Sequence, residues 1–208
     1  MITVGGNLKG GTGKSTVAFN LAVWLAHDKT GVKAFDLDPQ CTLLDVNEVR
    51  VEDGYEPAFD VSTDLGELEA IAKDKKNKQP VIVDMSATNM FAMEKAISLA
   101  DRILIPVQPS QADIWSTQRF LKIVTNNINN KKTEVLGFLN RADTHIGVRE
   151  TDEAEQALQM MQGIKPLGIR LHQRTAYRRS FSEGLAVFEL DPMGKASKEM
   201  KKLAAMLD

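Results

Sequence analysis

The residues best placed to do chemistry lie close to the start of the chain: Lys9-Gly10-Gly11-Thr12-Gly13-Lys14-Ser15-Thr16. They follow a short β-prone run, Ile2–Gly6, and open an apolar stretch that continues through Leu21–Ala26 with helical character. Glycines between a strand and a helix let backbone N–H groups turn toward a phosphate, and the helix N-terminus adds a partial positive charge. In such a loop Lys14 reaches the β- and γ-phosphates of a nucleotide, and the Ser15 hydroxyl binds Mg²⁺. The usual phosphate-loop pattern begins with a glycine five positions before the Gly-Lys pair. This chain has Leu8 there, and beside it a second lysine, Lys9.

Acids follow at two further places. Phe35-Asp36-Leu37-Asp38-Pro39-Gln40 closes a second strand-like run, Val32–Leu37. Residues two apart on a strand point to one side, so Asp36 and Asp38 are expected to face together, near enough to a phosphate loop to hold Mg²⁺ through water and orient an attacking water. Val81-Ile82-Val83-Asp84 is an apolar strand ending in an acid, the Walker B form, in which Asp84 binds Mg²⁺ through water.

These groups need a scaffold that brings strand ends together. Besides the runs already named, Pro80–Asp84, Arg102–Val107 and Glu134–Leu139 read as strands. They are mostly apolar rather than alternating, as strands buried on both faces are. Between them Leu65/Leu68/Ile71/Ala72, Met93/Ala96/Ile97/Ala100 and Ile114/Phe120/Leu121/Val124 recur at helical spacing, and Thr151 before Asp152 and Glu153 suits a helix N-cap. Asn47–Asp60 reads as irregular. The alternation predicts an α/β fold, a doubly wound, mostly parallel sheet with helices on both faces, and one domain over residues 1–208.

With these motifs in hand, the sequence resembles the deviant Walker A family of ParA/MinD-type ATPases, most of all the small ParA-type partition ATPases. Residues 9–15 match the family's Lys-Gly-Gly-x-Gly-Lys-Ser/Thr motif in full, and Asp36-Leu37-Asp38-Pro39-Gln40 looks like its second signature. The resemblance implies ATP and Mg²⁺ as cofactors, a sandwich homodimer in which Lys9 reaches the partner's nucleotide, and hydrolysis by Lys9, Lys14 and Asp38. It implies nucleotide contacts from Gly10, Gly11, Thr12, Gly13, Lys14, Ser15 and Thr16, with Asn140 on the adenine, and a metal site near Ser15, Asp36 and Asp84. Asn20 matches a recurrent family position. Met85-Ser86-Ala87 departs from the small or proline residues that many relatives carry after the Walker B acid. Ile105-Pro106-Val107-Gln108-Pro109-Ser110 is similar to the segment leading into a dimer-facing switch, with Asp113 and Trp115 just beyond. Trp115 is read equally well as a packing residue.

From Lys165 to Ser182 there are five basic residues, Lys165, Arg170, Arg174, Arg178 and Arg179, and no acid. Charge alone leaves a solvated face and a phosphate-binding patch evenly matched. By resemblance to the C-terminal part of small partition ATPases, Arg178 contacts DNA, Arg179 belongs to the same patch, and Arg174 faces either the DNA or the base. Lys195, Lys198, Lys201 and Lys202 extend the patch or suit a helix end. The family reading adds a ParB-like adaptor, non-specific nucleoid DNA as a partner, a cytoplasmic, nucleoid-associated location and no stable membrane association. Because the first strand starts at once, the chain resembles the small form that lacks an operator-binding domain.

Composition bounds the alternatives. With 26 Lys+Arg against 28 Asp+Glu the net charge is −2, which excludes a globally basic coat protein. Cys41 is the one cysteine, so no intrachain disulfide or Cys-x-x-Cys cluster site exists in this sequence. The apolar run Leu21–Ala26 is far short of the ~20 residues that span a bilayer, and Met1–Gly6 has no signal-peptide character, so an intracellular protein is expected. The competing readings are a MinD-like membrane switch, for which Ala196, Met200, Leu203, Ala204 and Leu207 form a modest stripe, and a P-loop ligase that phosphorylates a carboxylate.

Overall fold

The computed structural model describes residues 1–27, 30–129, 132–145 and 149–207. The apolar runs form strands of a single parallel sheet, flanked on both faces by helices as the doubly wound reading expects. In chain order the elements are β1 (Ile2–Gly5), α1 (Lys14–Ala26), β2 (Lys33–Asp36), α2 (Thr42–Glu52), β3 (Asp60–Ser62), α3 (Leu65–Lys73), β4 (Val81–Asp84) and α4 (Met90–Leu99). There follow β5 (Arg102–Val107), α5 (Gln111–Asn127), β6 (Glu134–Ala142), α6 (Arg149–Met160), β7 (Lys165–His172), α7 (Thr175–Ser182), α8 (Val187–Leu190) and α9 (Lys195–Ala205). The strand order is β3-β2-β4-β1-β5-β6-β7, and every pair is parallel.

Strand period sorts the core into two layers. Ile2, Val4, Phe35, Val81, Val83, Ile103 and Ile105 face α3, α4, α5 and α6, where Leu68, Met93, Ile97, Phe120, Leu121 and Leu158 meet them. Ala34, Ile82, Leu104, Leu136, Phe138 and Ile169 face the other way, onto α1, α2, α8 and α9. Consecutive residues of one strand serve opposite layers, so a one-residue slip in register would exchange the two cores. Helix starts are fixed by side chains read easily from sequence: Asp64 accepts from Gly66 N, Asn89 from Ala92 N and Ser110 from Asp113 N.

Two local readings differ from this architecture, and a third, the packing role of the C-terminal stripe, is met. Asn47–Glu52 is helical, the C-terminal half of α2, and only the segment beyond it is irregular. Its amphipathicity is masked because Arg50, a charged residue, occupies a fully buried position. Thr151 lies inside the first turn of α6, buried, rather than at its N-cap. The stripe Ala196–Leu207 is buried against the sheet layer that holds α1, so it serves packing. No helix among the described residues is long and apolar enough to cross a membrane.

The sheet order places the chemistry. From β1 the chain winds outward through β2 and β3, returns to β4 beside β1, then crosses to β5, β6 and β7 on the other side. The C-terminal ends of β1 and β4 therefore lie next to each other, with Gly5 level with Asp84 and Asp36 level with the same Asp84 on the other flank. Ligands of open α/β sheets bind at such a reversal of strand order.

Candidate functional site

Gly11 (φ 74°) and Gly13 (φ 88°) take left-handed backbone conformations in the loop after β1, which favours glycine. At Gly13 there is a second reason: a Cβ would stand 2.4 Å from the Asn140 amide nitrogen. That nitrogen donates to Thr12 O at 2.6 Å, and Gln108 Nε2 donates to Gly11 O at 2.8 Å. Side chains from the ends of β6 and β5 thus brace the loop, while Asn7, fully buried, accepts from Lys9 N and donates to Pro106 O. Beneath the loop Gly6 leaves room for Met85 and Phe120, so the residue after the Walker B acid fills core volume.

Lys14 is buried, and its ammonium is 3.4 Å from Lys9 O. Burial lowers its pKa, against the pull of Asp84 and Asp38. Asp84 is fully buried, and among the described residues neither carboxylate oxygen has a partner in good hydrogen-bond geometry, the Ser15 hydroxyl being the nearest donor to act on it. Burial pushes its pKa up to about 7; Asp36 and Asp38 add to the rise, while Ser15 and Lys14 oppose it. A buried, unpartnered carboxylate is costly, so this corner fits a cation. Among the described residues no cluster of three or more His, Cys, Asp or Glu forms a metal cage. The donor set, one acid and one hydroxyl at a helix N-terminus, is the kind that Mg²⁺ uses when phosphates and waters complete its shell.

The two acids expected to face together do different jobs. The β2 strand ends at Asp36, whose carboxylate accepts from Asp38 N (3.1 Å), Leu43 N (2.8 Å) and Leu44 N (3.0 Å). It tethers the start of α2 to the sheet. Its pKa is nevertheless raised, burial outweighing these bonds. Asp38 lies in the turn, half-buried, its Oδ1 accepting from Gln40 N at 3.1 Å.

Lys9 is the loop's other cation, and its side chain is 41% exposed. Its ammonium pairs with Asp113, whose side chain is 1% exposed. Asp113 also accepts from Ser110 Oγ, so the first turn of α5 holds Lys9 within its own chain. The sequence places Asp113 near a switch without foreseeing this pairing, because only the fold brings two positions 104 residues apart together.

A cavity of about 210 Å³ opens beside the loop, bounded by Gly13, Thr16, Asn140, Arg141, Arg174, Tyr177 and Arg178. Arg141 and Tyr177 carry no ligand signal in the sequence; burial raises the Tyr177 phenol. Asn20 proves to be a connector: its amide donates to Thr16 O and its oxygen accepts from Val187 N, joining α1 to α8.

The basic stretch is largely neutralised by acids from α6 and α9 and from the end of α7 itself. Arg170 pairs with Asp152 and Glu155, Arg174 with Glu199 (2.6 Å), and Arg179 with Glu183 (2.9 Å). Lys165 and Arg178 are exposed and have no acid partner among the described residues. Arg174 sits at the cavity wall, and Glu199 holds it there together with His172. Of the α9 lysines, Lys195, Lys198 and Lys202 are exposed and Lys201 is half-buried.

Residues 4–188 match the CobQ/CobB/MinD/ParA nucleotide binding domain. The chain is 28% identical over 196 residues to the maintenance of carboxysome distribution protein A of Halothiobacillus neapolitanus, covering 92% of this chain and 88% of that one. It is 28% identical over 192 residues to protein ParA of Rhizobium radiobacter, covering 88% and 83%. The fold matches a ParA family ATPase from Chlorobium tepidum with a TM-score of 0.72 at 20% identity, over 99% of this chain and 98% of that one. A glycine-rich phosphate loop, a Walker B acid at the neighbouring strand end and a match spanning most of the sequence lead to one conclusion: the chain belongs to the CobQ/CobB/MinD/ParA nucleotide-binding family.

Proposed function

We propose that residues 1–208 act as one ATPase domain of ParA type, which positions a cargo by cycling between an ATP-bound dimer on DNA and a released state. The observation that carries this reading is the corner of Asp84, Ser15 and Lys14, where a buried carboxylate lacks a well-aligned partner among the described residues beside a glycine-lined loop. Ser15 and Asp84 would hold Mg²⁺, with Asp36 close by as the anchor of the Asp38 turn. When bound, the ion neutralises phosphate charge.

The chain's own groups supply the rest. Backbone amides of Gly10, Gly11, Thr12 and Gly13 would cradle the phosphates, and Lys14 would bind the β- and γ-oxygens. Thr16 and Asn140 border the cavity of a size to admit a base, and Asn140 has an amide oxygen without a partner among the described residues to offer it. Asp38 would orient the attacking water as general base. Lys9 would leave Asp113 and reach the partner's nucleotide, making hydrolysis depend on the homodimer; a cation supplied in trans stabilises the charge on the transferring phosphoryl group. Exposed Arg178 and Arg179, with Arg174 at the cavity rim, would join the nucleotide pocket to nucleoid DNA. A ParB-like adaptor would stimulate hydrolysis and release.

The test is binding of fluorescent random-sequence duplex DNA at several salt concentrations, without nucleotide, with ADP and with ATP–Mg²⁺. Binding that requires ATP, weakens with salt and is lost in Lys14→Ala and Arg178→Ala is the expected result. A wild type that binds ATP yet shows no ATP-dependent DNA binding overturns the DNA part. Lys9→Ala with undiminished adaptor-stimulated turnover overturns the trans-lysine part.

A further inference from the structure

Apart from the nucleotide corner, the described residues form a long open groove. It runs along the outer face of α5 and ends against the C-terminus of α6, with a volume of about 900 Å³. Its head is Trp115, 54% exposed, and its foot is Met160, 78% exposed. Between them lie Gln118, Arg119 and Lys122. The exposed positions 115, 118, 119, 122, 125 and 126 follow the helical period, so one stripe of α5 faces solvent along its length.

Two features give the groove a chemistry. Large apolar side chains stand at both ends; Phe91 and Met193 are as exposed elsewhere, but they do not line this groove, and exposed apolar groups rimmed by polar ones mark an interaction site. The charge is of one sign. Arg119 and Lys122 line the groove, no acid does, and neither cation has an ion-pair partner among the described residues. Of the α6 acids, Asp152 and Glu155 are taken by Arg170, and the exposed Glu150 and Glu153 do not line the groove. A cationic groove on a chain of net charge −2 is a local arrangement, not a reflection of the whole.

The geometry points to a docking surface for an acidic amphipathic helix of a partner protein, with leucine-like side chains covering Trp115 and Met160 and carboxylates meeting Arg119 and Lys122. From Trp115 to Asn126 the helix rises about 16 Å, room for three turns of a partner helix. Duplex DNA fits less well. Two cations neutralise far fewer than the 6–10 phosphates of a typical duplex contact, and a duplex leaves Met160 uncovered. The groove also adjoins the switch: Trp115 is two residues from Asp113, which holds Lys9, so an occupant bears on the turn that releases that lysine. As an adaptor site the groove rests on the switch reading; as a binding site it stands alone.

The probe is a labelled 14-residue helical peptide with leucines at i, i+3, i+4 and i+7 and glutamates at the flanking positions, beside the same peptide with lysines for glutamates. Fluorescence anisotropy against the full chain should show the glutamate peptide binding at least tenfold tighter than the lysine peptide, and more weakly as salt rises. Arg119→Glu with Lys122→Glu should reverse the preference, which a merely unfolded variant would not do. Trp115→Ala should weaken both peptides. Equal binding of the two peptides, no saturable binding of the glutamate peptide, or its displacement by duplex DNA each overturns the proposal. So does self-association that is abolished by Trp115→Ala and excludes the peptide. Failure of Lys9→Ala to lower stimulated turnover would sink the switch reading and leave this one intact.

Discussion

Two fully buried charges sit on different sides of this molecule, and their surroundings are opposites. Arg50 on α2 is enclosed by acceptors. Its Nε donates to Pro57 O at 3.1 Å, its Nη1 to Gly184 O at 3.1 Å, and its two terminal nitrogens to the Glu189 carboxylate at 2.8 Å each. Gly184 approaches so closely that a Cβ would lie 2.6 Å from Arg50 N. Asp84, equally buried, has no partner in good hydrogen-bond geometry for either oxygen among the described residues. A charge complete within the chain holds structure together; a charge left incomplete at a strand end marks where something else binds.

The largest expected effect is at the closed charge. Arg50→Ala takes from the half-buried Glu189 its arginine partner, empties a fully buried position and detaches α2 from the α8 region, and it should cost about 3–5 kcal/mol in urea unfolding. Arg50→Met with Glu189→Gln should recover most of that loss, because no lone charge remains and Gln can still accept from Ala186 N, as Glu189 does at 2.8 Å. If the double variant is as unstable as the single one, Arg50 matters for volume rather than charge.

At the open charge the sign is reversed. A carboxyl moved from 3.8 to about 7 is easier to keep neutral in the fold than in the unfolded chain. The folded state then binds the extra proton, and stability falls as pH rises from about 4 to about 7. The full shift corresponds to about 4 kcal/mol. Without nucleotide or magnesium, Asp84→Asn should flatten this stretch of the stability-versus-pH curve and stabilise the protein at pH 8. In the wild type ATP–Mg²⁺ should do the same by supplying a cation to Asp84. Unfolding curves at stepped pH decide it; a wild type whose stability is level across this window would mean that Asp84 has a partner after all.

Lys14 tests the corner from the other side. Lys14→Ala should reduce nucleotide turnover by about 100-fold to 1,000-fold, the scale for removing one donor that meets developing charge. Its own fold should hold or tighten, because a lysine whose pKa burial lowers is poorly solvated where it stands. Malachite-green phosphate release and a melting curve on one preparation give both numbers.

The comparison also explains what could be read from sequence. The loop from Lys9 to Thr16, the acid ending β4 and the apolar strands β1, β2, β4, β5 and β6 carry their signals locally, in residue type and spacing. The edge strands do not. β3 has three residues, none fully buried, and β7 carries Lys165, Pro166, Gly168 and Arg170, so it reads as a basic stretch rather than a strand. Nothing near Arg50 in sequence announces Glu189, and nothing near Lys9 announces Asp113; each pairing exists only once the sheet closes. The same blindness applied to the basic stretch, whose acids Asp152, Glu155 and Glu199 come from α6 and α9.

That leaves the surface cations, where the smallest effect should appear. Arg179 and Glu183 are an exposed pair four residues apart on one turn, worth about 0.3–0.5 kcal/mol at most. Glu183→Gln should therefore barely change stability, yet it frees a cation next to Arg178, which has no acid partner among the described residues. If α7 meets DNA phosphates, each cation added to the contact steepens the plot of log affinity against log salt by about 0.9. Glu183→Gln should then bind random duplex more tightly at low salt, with a slope steeper by about one contact, and Arg178→Ala should shift the slope the opposite way by the same amount. Equal slopes in all three proteins would put the phosphate contacts elsewhere, and the exposed lysines Lys195, Lys198 and Lys202 of α9 would be the next to change.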